Sequence, residues 1–368
     1  MRRKIMGIIL VMGLFTACSR TVVPKEENAS DYNRFVRSGG VFTWSEEGSY
    51  ANANNLLYVF QDSGELSILC ADPACRHGDE SCSAYMPYNA YASGNHLYYV
   101  VEKGQKRILY RESLTGTNRE EVKVLTDLQE DEAVTSNYAI YQNHLVMVLQ
   151  ETTVEGMVQK VYGTKLNTRD ELELLSTEEL MLFRLLEEEA LFFQVNEMGR
   201  LDLVSLNYET KHKKIIVKDL AEKLDFLADV YVDQQGTAFW FDMTGFYRSG
   251  DQGEKILIRE ADKTVEVGGA LYDDQYIYLL NSNQYLDQAF QVPAEMRGLR
   301  IYDHTGKLLS FAPWDSTKEG KELSYALASA QRVFYFTFGQ DTRPTDYLDK
   351  TEIGNPTLTW KKVHWLQD

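Results

Sequence analysis

The feature that most limits what this chain can fold into is a repeated strand unit. Six apolar-aromatic runs stand out: 97–100 (LYYV), 145–148 (LVMV), 190–193 (ALFF), 238–241 (AFWF), 276–279 (YIYL) and 333–336 (VFYF). Each follows a short polar turn and most are followed by a second strand-like run and a polar hairpin. The unit starts fall near residues 96, 144, 190, 238, 276 and 333, and an earlier unit begins near Val41. A period of this size with several strands per unit predicts a β-propeller, in which four-stranded blades circle an axis. Blades bury both faces against their neighbours, which accounts for strands that are apolar in unbroken runs. The expectation is an all-β propeller of seven blades, with six or eight as the neighbouring counts. Its final strand, around Val363, pairs with the first unit to close the ring. The competing architecture is a pair of β-sandwich domains. Residues 177–186 break the pattern and read as a helical turn or two.

The N-terminus has a different character. Met1, Arg2, Arg3 and Lys4 precede an apolar run, residues 5–17, which ends at Cys18. A short basic segment, a brief hydrophobic stretch and a small residue form an export signal. The run is too short to span about 30 Å of hydrocarbon. Residues 14–18 (LFTAC) resemble a bacterial lipobox, which implies cleavage before Cys18 and a lipid on its thiol; an ordinary cleaved signal is the alternative. The expected organisation is a lipoprotein signal at 1–17, a lipid-anchored flexible linker at 18–34 and a propeller domain at 35–368. The linker is polar and poor in large apolar residues, as a tether is.

Loss of residues 1–17 removes Arg2, Arg3 and Lys4 and no acid, which moves the net charge from −17 to −20. Such a surface repels nucleic-acid phosphates, so no nucleic-acid partner is expected. The local exception, Lys211, His212, Lys213, Lys214 and Lys218, reads as a solvated turn.

One segment carries chemistry: residues 69–85, LCADPACRHGDESCSAY. Cys70, Cys75, His77 and Cys82 supply three thiols and one imidazole, a complete tetrahedral set for Zn²⁺. Asp72, Pro73 and Gly78 are turn formers that let the loop fold back on an ion. Four protein ligands leave no open position for water, which points to a structural ion. The spacing C-x4-C-x-H-x4-C matches no common zinc finger. Two rivals stand beside it. In an exported protein two of the three thiols can form a disulfide and leave one free. A cysteine beside Arg76 and His77 can also be a reactive thiol. His77 does not directly follow Cys75, which disfavours a c-type haem.

The signal, the repeats and residues 69–85 together resemble extracytoplasmic β-propeller lipoproteins of clostridia-type Gram-positive bacteria. The resemblance implies fold and location, and no activity. Elsewhere there is no serine-nucleophile elbow, phosphate-cradling loop, H-E-x-x-H pair or EF-hand loop. Asp273, Asp274, Glu187, Glu188 and Glu189 read as solvated turns. His96 and His144 occupy equivalent pre-strand turns, and His304 and His364 show no obvious partner. Two stretches, 281–291 and 339–356, read as long polar-aromatic loops suited to ligands. The functional expectation is a membrane-anchored binding or scaffold module for a protein, peptide or glycan. The alternatives are an extracellular hydrolase with acids at the channel, and a metal or redox sensor.

Overall fold

The computed structural model describes residues 42–365, apart from 128–135, 222–229, 281–291, 315–322, 338–343 and some shorter stretches. The signal, Cys18 and the linker lie outside the described residues.

Among the described residues the strands form seven sheets, taken in order along the chain and antiparallel except where the last strand joins the first sheet. The second strands begin at His96, His144, Glu189, Ala238, Ile277 and Arg332, within one residue of the unit starts read from the sequence. First strands of the first to fourth sheets approach one another in succession, as do those of the sixth and seventh, which is the inner position of a propeller blade. Middle strands are buried on both faces: every residue of Ile277–Leu280 and Gly298–Tyr302 is buried. The outer strand Lys255–Glu260 is polar or half-exposed throughout, as a rim strand should be.

Hydrophobic seams join the sheets into a ring. Tyr50, Leu57, Leu97 and Tyr99 join the first sheet to the second. Further clusters run from the second sheet to the fourth, from the fourth to the sixth, and from the sixth to the seventh. Phe60 and Leu66 of the first sheet pack on Phe334 and Tyr347 of the seventh and close the circle. The closing strand is the expected one: His364–Trp365 lies parallel to Glu65–Ile68 at the outer edge of the first sheet, with His364 opposite Glu65. The fold is therefore an all-β propeller.

Three expectations need correction. Residues 177–186 hold no helix: Met181–Leu185 is the first strand of the fourth sheet, paired with Phe193 through Ala190. A strand buried on both faces shows no period of two, so its apolar run imitates a buried helix. Stretch 339–356 is not one loop, because Pro344–Asp349 is the third strand of the seventh sheet, followed by a short 3-10 turn, Lys350–Glu352. Its polar look comes from Asp346, which is buried against Lys362 of the neighbouring strand. Asp273 is no solvated turn either, since it is 1 % exposed and paired with Lys350. Stretch 281–291 lies outside the described residues. Among those described, no helix is long and apolar enough to cross a membrane.

A third buried carboxylate ties the fifth sheet to the sixth. Glu266 takes both arms of Arg259 at 2.8 and 2.6 Å, the Tyr302 hydroxyl at 2.7 Å and the Asp262 N–H at 2.7 Å. Burial alone would raise its carboxyl, but Arg259 and these donors outweigh that and hold it below the usual range. A depressed carboxyl stabilises the fold above its unfolded value and loses that contribution as pH falls through the folded one. The chain should lose stability below about pH 4.5. Glu266→Gln should be less stable at neutral pH, and its gap from the parent should narrow in acid. Thermal melts from pH 7 to pH 3 check this; a gap that stays constant would contradict it.

Candidate metal centre

The Cys/His segment leaves the first sheet at the end of strand Glu65–Ile68 and returns before the second sheet begins. Both arms are tied to one residue, Leu57. Its carbonyl accepts the Leu69 N–H at 2.9 Å, and its N–H donates to the Ala84 carbonyl at 2.8 Å. A bridge between Leu56 and Tyr85 extends the pairing. Leu69, Cys82 and Ala84 are buried in the seam between first and second sheets, so the hydrophobic effect holds this neck. Gly116 allows it: its φ of 73° is left-handed, and a Cβ there would sit 2.6 Å from the Leu69 carbonyl oxygen.

Cys70 and Cys82 stand at the neck, and Cys75 and His77 arrive on the loop. The Asp72 carboxylate accepts the Ala74 N–H at 2.9 Å, and the Asp72 carbonyl accepts the Cys75 N–H at 3.2 Å. This is the turn expected of an Asx residue before proline. His77 sits at φ 52°, which redirects the chain toward Cys82. Its Nδ1 lies 3.3 Å from Cys82 Sγ, and its backbone N–H donates to Cys75 Sγ at 3.4 Å.

The structure brings all four expected ligands together. One donor atom from each of Cys70, Cys75, His77 and Cys82 lies within 4.8 Å of the others. Tetrahedral zinc–sulfur bonds of about 2.3 Å place sulfurs about 3.8 Å apart. The set therefore needs a contraction of at most about 1 Å to close on an ion. The three thiols are free, and no disulfide joins them. Cys82 is 2 % exposed, while Cys70, Cys75 and His77 are half-buried. Burial pushes the Cys82 thiol up to about 12. Burial opposes ionisation at Cys70 too, yet hydrogen bonds with the Asp72 backbone, the Ser83 hydroxyl and neighbouring thiols bring it below its ordinary value. A soft dication at the centre is what would draw the proton from Cys82.

Two supporting residues were not read from the sequence. Arg119 donates to the Ser83 carbonyl at 3.1 Å and the Tyr85 carbonyl at 3.4 Å, fastening the returning arm. It also donates to the carboxylate of Glu112 at 3.0 Å, and its guanidinium lies 5.5 Å from the Tyr99 ring centre. Glu112 is completely buried, and burial raises its carboxyl despite Arg119. Neither residue lies near the cysteines in sequence, so no local motif marks them.

The remaining candidates have structural places. His96 and His144 each open the second strand of their sheet, and His144 stacks on Tyr208 of the next sheet at 4.6 Å. His304 has partners after all: it stacks on Tyr231 at 4.1 Å, and its Nε2 lies 3.0 Å from the Asp273 carbonyl oxygen. In the basic stretch, Lys211 pairs with Glu173 at 2.6 Å and Lys213 pairs with Glu178, which neutralises much of its charge.

No family model matches the chain, and no curated protein matches it. Solved structures do. The chain is similar to an acylaminoacyl peptidase solved with a chloromethyl ketone, at 9% identity and TM-score 0.50, with 92% of this chain and 52% of that one covered. The β-propeller domain of the Trilobed protease from Pyrococcus furiosus aligns at 12% identity and TM-score 0.44, covering 75% of this chain and 85% of that domain. The tricorn protease aligns at 9% identity and TM-score 0.31, covering 80% of this chain and 33% of its own. The chain thus spans about half of the first and a third of the last. At these identities the likeness speaks to fold alone, and the propeller is read from the chain's own sheets and their closure. The class of protein is an all-β propeller with a Cys₃His cluster at the seam of its first two sheets.

Proposed function

We propose that this protein is a lipid-anchored propeller at the outer face of a cell membrane, held there through Cys18, and that it binds a protein, peptide or glycan. In this reading Cys70, Cys75, His77 and Cys82 hold a structural Zn²⁺ that stiffens the loop between the first two sheets. One observation favours binding over hydrolysis by acids at the channel. The first strands, which line the axis, are FTWS, AYAS, SNYAIY, MLFRL, YV, GALY and LSYALA. None carries an Asp or Glu, whereas glycoside hydrolysis uses two carboxyl groups facing each other across the bond to be cut. Arg184 is the one charged side chain among them.

The intact lipoprotein, displayed on its native cell surface and cross-linked, should retain a partner that Cys18→Ala, released from the membrane, no longer meets there. Turnover of a glycan panel with no partner recovered would overturn the binding reading. For the metal, the full chain purified without an affinity tag should carry about one zinc per chain. A chelator should remove it and speed hydrogen exchange across 70–85, leaving exchange in the other sheets unchanged, because the neck hydrogen bonds at Leu57 do not involve the ion. Fewer than about 0.2 ions per chain, with all three loop thiols reactive, would overturn the metal reading.

A further inference from the structure

We infer that Cys70 and Cys75 are an oxidisable pair: a hydroperoxide joins them as a disulfide and thereby expels the metal. The inference rests on the metal reading above. Three thiols share one centre, and they are not equivalent. Cys70 and Cys75 are half-buried and within reach of solvent, whereas Cys82 is 2 % exposed and has the His77 ring 3.3 Å from its sulfur. Oxidation follows thiolate character and exposure, so a small oxidant meets Cys70 and Cys75 first. The Asp72 turn already folds the segment between them, through the Cys75 N–H to the Asp72 carbonyl at 3.2 Å. Their sulfurs lie no more than 4.8 Å apart. The neck is closed by Leu57 whether or not the thiolates are bound, so the pair can react without undoing the propeller.

The chemistry balances with the hydroperoxide as the sole oxidant. The thiolate of one of the two cysteines attacks the terminal peroxide oxygen. The O–O bond breaks, the departing alkoxide takes a proton and leaves as alcohol, and the sulfur becomes a sulfenic acid. The second thiolate attacks that sulfur, forms the S–S bond and displaces hydroxide, which leaves as water after protonation. Two electrons pass from two sulfurs to the peroxide, and two protons are consumed. The ion keeps only Cys82 and His77, and two-ligand sites hold zinc weakly. A position outside the cell would supply oxidants and little thiol reductant.

The test uses the full chain, reduced and loaded with zinc, and hydrogen peroxide as the probe. About one Zn²⁺ per chain should appear on a chromogenic chelator, in step with a Cys70–Cys75 bond found by peptide mapping. Cys82 should remain alkylatable once the chain is denatured, and Cys82→Ser should form the same bond. A thiol reductant should restore zinc uptake. A bridge that includes Cys82, oxidation past sulfenic acid with no bridge, or zinc retained while the thiols are consumed would overturn the inference. If the reduced chain takes up no zinc, the metal reading and the expulsion fail together, and the same mapping on the metal-free chain decides separately whether Cys70 and Cys75 pair.

Discussion

Replacing Lys350 by alanine is expected to destabilise the chain by about 3–5 kcal/mol, because it strands a buried carboxylate. Asp273 of the sixth sheet is 1 % exposed, and the Lys350 side chain, which follows the third strand of the seventh, is 8 % exposed. The carboxylate is otherwise well supplied. One oxygen accepts the Gln275 and Tyr276 N–H groups at 2.9 and 2.7 Å, and the other accepts the Tyr278 hydroxyl at 2.6 Å. These donors orient Asp273 without neutralising it, so the charge depends on the ammonium from the next sheet. Lys211→Ala, which breaks an exposed pair with Glu173, should cost at most about 1 kcal/mol. Denaturant melts of both variants make the comparison. Equal midpoints for Lys350→Ala and the parent would show that the pair contributes nothing.

Phe60→Ala should be nearly as costly, at about 3–5 kcal/mol, and its effect should localise to the closing seam. Phe60 meets Phe334 edge to face, with ring centres 4.8 Å apart, and Tyr347 at 5.3 Å. The Arg332 guanidinium covers its face at 4.5 Å. All three partners belong to the seventh sheet, so the cavity opens where the ring shuts. Hydrogen exchange should quicken at His364 and Trp365, whose strand lies against Glu65–Ile68, before it changes in the fourth and fifth sheets. Uniform acceleration around the ring would mean that closure does not depend on this cluster.

Much of this fold was legible because a propeller repeats its hydrophobic grammar. Runs such as LYYV and AFWF each sit between two faces that must both be dry, and the turns before them fix where the unit begins. The strands that escaped notice are those whose sequence is not uniformly apolar. Gly245–Ser249 (GFYRS) and Pro344–Asp349 (PTDYLD) are third strands whose polar residues are satisfied by neighbours. Asp346 answers to Lys362 of the next strand, a partner that no window centred on residue 346 would weigh. Met181–Leu185 failed the other way: continuous burial erased the alternation that separates a strand from a buried helix.

The cysteines divide similarly. Their identity, order and turn formers name a tetrahedral sulfur–nitrogen set from sequence alone, because ligand type and local turns are local properties. Whether the thiols converge is not local. Cys70 and Cys82 are positioned by Leu57, Leu97 and Tyr99 of two sheets, and the returning arm is pinned by Arg119, itself paired with buried Glu112. Only the packed seam decides that three sulfurs and an imidazole lie within 4.8 Å, and that Cys70 and Cys75 are half-buried while Cys82 is fully buried. Composition and period were enough for the all-β ring. The pairing of buried charges between sheets, the closure at Phe60 and the inequality of the three thiols come from tertiary structure, because each depends on residues far apart in the chain.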